Sequence, residues 1–186
     1  LCDVTGCDLV VAVVGRWFAG PRPKWEWIRE KTVSRLQFIA RILEPRGVRI
    51  GLEPISFPEF TVDSIEKAVE IADKSGVSST VLVADVYNLM LGDSTPQSFA
   101  QAASRIGIIH VNDAPHRDAD ALHVMYTREF PGEGVLNPAE WVSAALENGY
   151  TGPVSVEVFK ESVWDMGVEE AVKLCAQKAE AFSRAL

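Results

Sequence analysis

Four residues able to hold a metal ion fall at the ends of four successive apolar runs. Glu53 closes Arg49-Ile50-Gly51-Leu52-Glu53, and Asp85 closes Val81-Leu82-Val83-Ala84-Asp85. His110 stands near the end of Ile108-Ile109-His110-Val111, and Glu157 follows Val154-Ser155-Val156. One carboxylate in such a place is ordinary, because a strand-ending Asp or Glu often caps the next helix. Four on one face are different, since uncompensated ionisable groups crowded together are costly. A cation removes that cost. One imidazole and three carboxylates suit Mn, Mg, Co or Zn in a five- or six-coordinate site with open positions.

The elements that must position these residues follow a repeating rhythm. Apolar, β-branched runs over residues 9–14, 48–53, 80–85, 106–111 and 154–159 predict strands buried on both faces. Between them lie helical patterns. One covers about 24–44, with Ile28, Leu36, Ile39, Ala40 and Leu43 mostly at three- and four-residue spacing. Another starts at Asp63 as N-cap, with Glu66 three residues on, and stops at Gly76. Others begin near Pro96, run from Asn137 to Asn148 with Pro138 in the first turn, and cover about 168–186. Five strands alternating with helices predict an α/β fold with a parallel sheet in one domain, residues 1–186. In (β/α) barrels the chemistry sits at the C-terminal strand ends, where the four residues fall.

Composition narrows the function classes. The chain has 186 residues, 47% of them hydrophobic, which suits one sizeable core. That length is short for eight βα units, which take roughly 200–250 residues or more. Lys plus Arg is 18 and Asp plus Glu is 26, a net charge of −8. Such a balance repels phosphate backbones and argues against a nucleic-acid partner. No apolar run reaches the roughly 18 residues of a membrane span. Cys2, Cys7 and Cys175 are an odd set without CxxC spacing, as expected of reduced thiols in a cytoplasmic protein. The chain opens Leu1-Cys2-Asp3, which reads as the middle of a longer protein.

The ordered set Gly51-Leu52-Glu53, Asp85-Val86-Tyr87-Asn88, His110-Val111-Asn112-Asp113, Arg128-Glu129-Phe130-Pro131-Gly132-Glu133-Gly134 and Ser155-Val156-Glu157-Val158-Phe159 resembles the xylose isomerase-like barrel superfamily of sugar isomerases and epimerases. Within it, the chain looks most like the 2-keto-myo-inositol isomerase branch. The resemblance implies a (β/α) TIM barrel of which residues 9–159 supply strands four to eight, the first three being absent. An open, curved sheet is therefore the expectation. It also implies that Glu53, Asp85, His110 and Glu157 bind the metal and that Arg128 holds substrate. The family usually places His three residues after the metal Asp, where it contacts substrate. This chain has Asn88, which can exchange hydrogen bonds but cannot carry a proton near neutral pH.

The activity so implied is isomerisation or epimerisation of a keto-sugar or keto-inositol, a small polyhydroxy ketone. The divalent ion would act as Lewis acid. One of Glu53 and Glu157 would remove a proton beside the carbonyl, and the other would return it through an enediolate. The same first step followed by loss of a β-hydroxyl would make the chain a metal-dependent dehydratase of an inosose or a dehydroshikimate-like compound. Asn88 also admits a catalytically inactive family member. The sequence is compatible with a homo-oligomer.

Several residues have plainer readings. Glu133 between Gly132 and Gly134 suggests a tight turn. Asp113 suits either a loop cap or a residue orienting a ligand or Arg128. His116 and His123, with Asp118 and Asp120, suit an exposed loop better than a second metal site. Trp17, Phe18, Trp25 and Trp164 could wall a substrate pocket or pack their own loops.

Overall fold

The computed structural model describes residues 2–92, 94–115 and 128–186. His116, Asp118, Asp120 and His123 lie outside them.

The expected strands form one parallel sheet in sequence order: β1 (Leu9–Val13), β2 (Arg49–Glu53), β3 (Thr80–Asp85), β4 (Ile106–Val111) and β5 (Val154–Val156). Among the described residues the sheet is open, with β1 paired only to β2 and β5 only to β4. β5 ends three residues before the expected boundary, so Glu157 stands just past it. Its N–H still donates to the Val111 carbonyl at 3.1 Å, which carries the pairing one step further.

The period-two alternation of strand side chains separates core from site. Ile50, Leu52, Leu82, Ala84, Ile109 and Val111 face the helices and join Ile28, Leu36, Ala40, Ile65, Ala68, Ile71 and Trp141 in one buried cluster. Glu53, Asp85 and His110 alternate with those residues and so take the opposite face. Asp85 and His110 are register partners across β3 and β4. On that face Gly51 is needed for space: a Cβ there would lie 2.5 Å from Cγ2 of Val83 and 3.2 Å from Cδ1 of Leu9.

The helices follow the expected pattern with revised ends. α1 (Cys2–Thr5) precedes β1, and α2 (Trp25–Leu43) packs on α3 (Ile65–Ser75). The N-cap of α3 is Ser64 rather than Asp63. Its hydroxyl accepts from Lys67 N at 3.3 Å. Asp63 instead pairs with Lys67 Nζ at 2.5 Å and Arg22 Nη2 at 3.2 Å. A short helix that periodicity did not signal, α4 (Val86–Leu91), starts directly at Asp85. α5 (Pro96–Gln101) begins with a Thr95–Ser98 capping box. α6 (Pro138–Glu147) follows Asn137, α7 (Glu161–Trp164) follows β5, and α8 (Val168–Ser183) ends the described chain. No helix among the described residues is long and apolar enough to cross a membrane.

Candidate metal centre

Glu53, Asp85, His110 and Glu157 each turn one ligand atom into the same small space, and the four atoms lie within 4.8 Å of one another. Donors placed about 2.0–2.6 Å from a shared ion are separated by no more than roughly 4–5 Å, so the spread suits one coordination shell. Asp85 is fully buried, Glu53 is 7% exposed, and His110 and Glu157 are half-buried. His110 Nδ1 stands 3.7 Å from Glu53 Oε1 and 3.5 Å from Glu157 Oε2. These are ionic contacts without hydrogen-bond geometry, and Nδ1 has no hydrogen-bond partner among the described residues. A buried imidazole nitrogen without such a partner, close to two carboxylates, is a donor set that could hold a divalent cation.

The cluster's charges are tuned by that crowding. Burial pushes the Glu53 carboxyl up, the His110 interaction only partly offsetting it. Burial pulls the His110 imidazole down, but the carboxylates of Glu157 and Glu53 overcome it and raise it to about 10. Burial also pushes Glu157 up, and here His110 and Arg128 prevail, holding it at about 2. Two glutamates near one imidazole thus have opposite tendencies, one toward keeping a proton and one toward losing it.

Asp85 caps a helix, the plainer reading of a strand-ending carboxylate, and also holds Arg128. Its Oδ1 accepts from Asn88 N at 3.1 Å, capping α4, while Oδ2 accepts from Arg128 Nη1 at 2.7 Å. Arg128 Nη1 also lies 3.3 Å from Glu157 Oε2 and 3.4 Å from its main-chain carbonyl. Arg128 is 3% exposed, and its guanidinium packs on two aromatic rings, Tyr87 and Phe159, each centred 4.8 Å from Cζ. Asn88 is 2% exposed, and its Oδ1 has no hydrogen-bond partner among the described residues.

Three contributors were not singled out from the sequence. Asn112 donates from Nδ2 to the Glu157 carbonyl at 3.1 Å and to both Asp85 oxygens at 3.4 and 3.5 Å, joining the ends of three strands. Its place two residues after His110, on a buried strand end, was the available signal. Tyr87 and Phe159 stand within two residues of Asp85 and Glu157, but their stacking on Arg128 is a long-range contact invisible to local pattern.

Asp113 proves to be a loop cap. Oδ1 accepts from Ala114 N at 2.9 Å and Leu136 N at 2.8 Å, and Oδ2 from Gly132 N at 3.1 Å. Its backbone exchanges two 2.8 Å hydrogen bonds with Glu129, which steadies the neighbouring Arg128. Gly134 passes so close that a Cβ would collide with the Asp113 carboxylate and the Ala114 carbonyl. Glu133 sits in the expected turn and ion-pairs with Lys178 of α8. Trp25 donates from Nε1 to Glu70 and serves helix packing rather than a pocket wall. Trp17, Phe18 and Trp164 are exposed, Trp17 packing edge-on to Trp27 and Trp164 to Phe159.

Residues 1–180 match the model of the xylose isomerase-like TIM barrel family. The chain belongs to that family. It is 32% identical to the inosose isomerase of Bacillus subtilis (strain 168) over 173 residues, covering 92% of this chain and 61% of that protein. It is 28% identical to the 3-dehydroshikimate dehydratase of Pseudomonas aeruginosa over 128 residues, 68% of this chain and 20% of that protein. The crystal structure of the IolI protein with a bound zinc atom superposes at a TM-score of 0.89, with 29% identity, covering 97% of this chain and 64% of the other. The chain spans about three-fifths of the length of the inosose isomerase it matches. The open five-stranded sheet is thus the arrangement of a TIM-barrel family member, as the motifs led us to expect.

Proposed function

We propose that this chain carries the metal-binding strand ends of an isomerase acting on a keto-inositol or a related keto-sugar. Glu53 and Glu157 would exchange the proton, Arg128 and Asn88 would contact the substrate, and Glu53, Asp85, His110 and Glu157 would hold the ion. The observation that carries this reading is the approach of both Glu53 and Glu157 to His110 Nδ1, at 3.7 and 3.5 Å, within a cluster whose four ligand atoms lie within 4.8 Å of one another. A polyhydroxy ketone lying between them would have one carboxylate on each side of the carbon that loses its proton. One of the two glutamates would remove the proton and the other return it. A divalent ion held there would supply Lewis acidity to the substrate's carbonyl oxygen. Zinc in the related IolI structure and the inosose isomerase relatives support the same reading.

The test is proton exchange. In deuterated water with added Mn2+ or Zn2+, NMR should show deuterium entering a keto-inositol beside its carbonyl. Glu157→Gln should abolish that exchange, because an amide cannot accept the proton, while the far-ultraviolet circular dichroism stays unchanged. Exchange at the original rate in Glu157→Gln would remove this residue from the role. The similarity to a 3-dehydroshikimate dehydratase gives a second reading, proton removal followed by loss of water. A product lacking one water in the same NMR experiment selects it.

A further inference from the structure

We propose that Arg128 is a fixed counter-cation of the Glu53–Asp85–His110–Glu157 cluster, lowering its affinity for metal ions and matching its charge to a divalent one. The proposal rests on reading the cluster as a metal centre, and it gives Arg128 a task separate from any substrate contact.

Three observations lead there. First, the guanidinium is bound to the ligand carboxylates themselves, with Nη1 at 2.7 Å from Asp85 Oδ2 and 3.3 Å from Glu157 Oε2. A positive charge so close to two of four donors acts directly on any cation they hold. Second, the guanidinium is confined. The Tyr87 and Phe159 ring centroids each lie 4.8 Å from Cζ, the residue is 3% exposed, and the adjoining Glu129 is tied to the Asp113 backbone. An incoming ion therefore cannot displace it into water as it would a surface lysine. Third, the charges balance only when Arg128 is counted. Three carboxylates bring three negative charges, and a metal-bound imidazole is neutral. Arg128 cancels one, leaving two, the charge a divalent ion neutralises. Without Arg128 the donors would suit a trivalent ion.

Removing the guanidinium charge should thus strengthen metal binding, the reverse of what is expected for a residue that builds the site. The gain should grow with the charge of the ion, because the repulsion it relieves does.

The experiment compares the 186-residue chain with its Arg128→Gln and Arg128→Lys variants. Mn2+ binding is read from the electron paramagnetic resonance signal of the free ion, and Tb3+ binding from sensitised luminescence. Arg128→Gln keeps a donor for Asp85 but no charge. It should bind Mn2+ about tenfold or more tightly than the parent, with a larger gain for Tb3+. Arg128→Lys keeps the charge and should stay within about threefold of the parent. Weaker Mn2+ binding in both variants would overturn the proposal and make Arg128 a positioning residue for Asp85. Equal affinity in all three proteins would overturn it too. If Arg128→Gln does not fold alone, circular dichroism during Mn2+ titration decides. Recovery of the fold by the ion supports the proposal, and a chain unfolded at every Mn2+ concentration overturns it. Binding by the parent with no gain in Arg128→Gln removes only this proposal. No Mn2+ binding by either chain removes the metal reading along with it.

Discussion

The middle three strands and the two edge strands of this sheet share the same apolar composition and live in different surroundings. Ile50, Leu52, Leu82, Val83, Ala84, Ile109 and Val111 are at most 1% exposed. On β1, by contrast, Val11 and Val13 are 43% and 46% exposed, although Val13 is the register partner of Glu53. β5 is short and half-buried throughout. The site follows the same division. Glu53, Asp85 and His110 come from the well-packed middle, whereas Glu157 stands beyond the edge strand and is held there by Asn112 and Arg128. Packing positions Glu53, Asp85 and, less completely, His110. Polar cross-links substitute for packing at the fourth.

The largest test of that contrast removes a buried charge. Asp85→Ala leaves Arg128 without its 2.7 Å partner, and breaking a buried pair in this way costs about 3–5 kcal/mol. Asp8→Ala, which breaks the exposed Arg49 pair beside β1, should cost at most about 1 kcal/mol. Urea unfolding of both variants measures the difference, and equal midpoints would remove the distinction between middle and edge.

Acidity comes next. Without metal, His110 holds its proton up to about pH 10, because Glu157 and Glu53 outweigh the opposing effect of burial. A metal ion must displace that proton, so affinity should rise with pH while His110 remains protonated, by about tenfold per unit. Mn2+ titrations at pH 6, 7 and 8 should show it. Calorimetry in buffers of different ionisation enthalpy should show proton release on binding. A pH-independent affinity would mean that His110 is not a ligand.

The smallest effect concerns packing alone. Val83→Ala in the middle should lower stability by about 2 kcal/mol, while Val13→Ala at the edge should change it by less than about 0.5 kcal/mol. A similar loss at Val13 would show that its side chain is covered in solution.

Much of this arrangement was legible beforehand. The strands, their parallel order and the four converging ligand-type residues follow from apolar runs that end in Glu, Asp or His, since strand alternation then decides which side chains share a face. The N-cap of α3 was misplaced by one residue because Asp63 and Ser64 are both good caps and only tertiary partners choose between them. Arg22 and Lys67 draw Asp63 away. α4 was missed because its capping residue, Asp85, had already been read as a strand end. Asn112 and the aromatic pair around Arg128 were missed for another reason. Their partners lie on other strands and loops, and hydrogen bonds of that kind leave no periodic trace.

The exchange of backbone hydrogen bonds between Asp113 and Glu129 has an evolutionary consequence. It works as a clasp: the chain leaves the sheet at one residue and is fastened again at the other, immediately after Arg128. Lengthening a closed loop adds only slowly to its entropic cost. Insertions, deletions and wholesale replacement of the intervening sequence can therefore accumulate without moving the arginine. Arg128 is thereby tied to the end of β4 whatever the length of chain between residues 113 and 129.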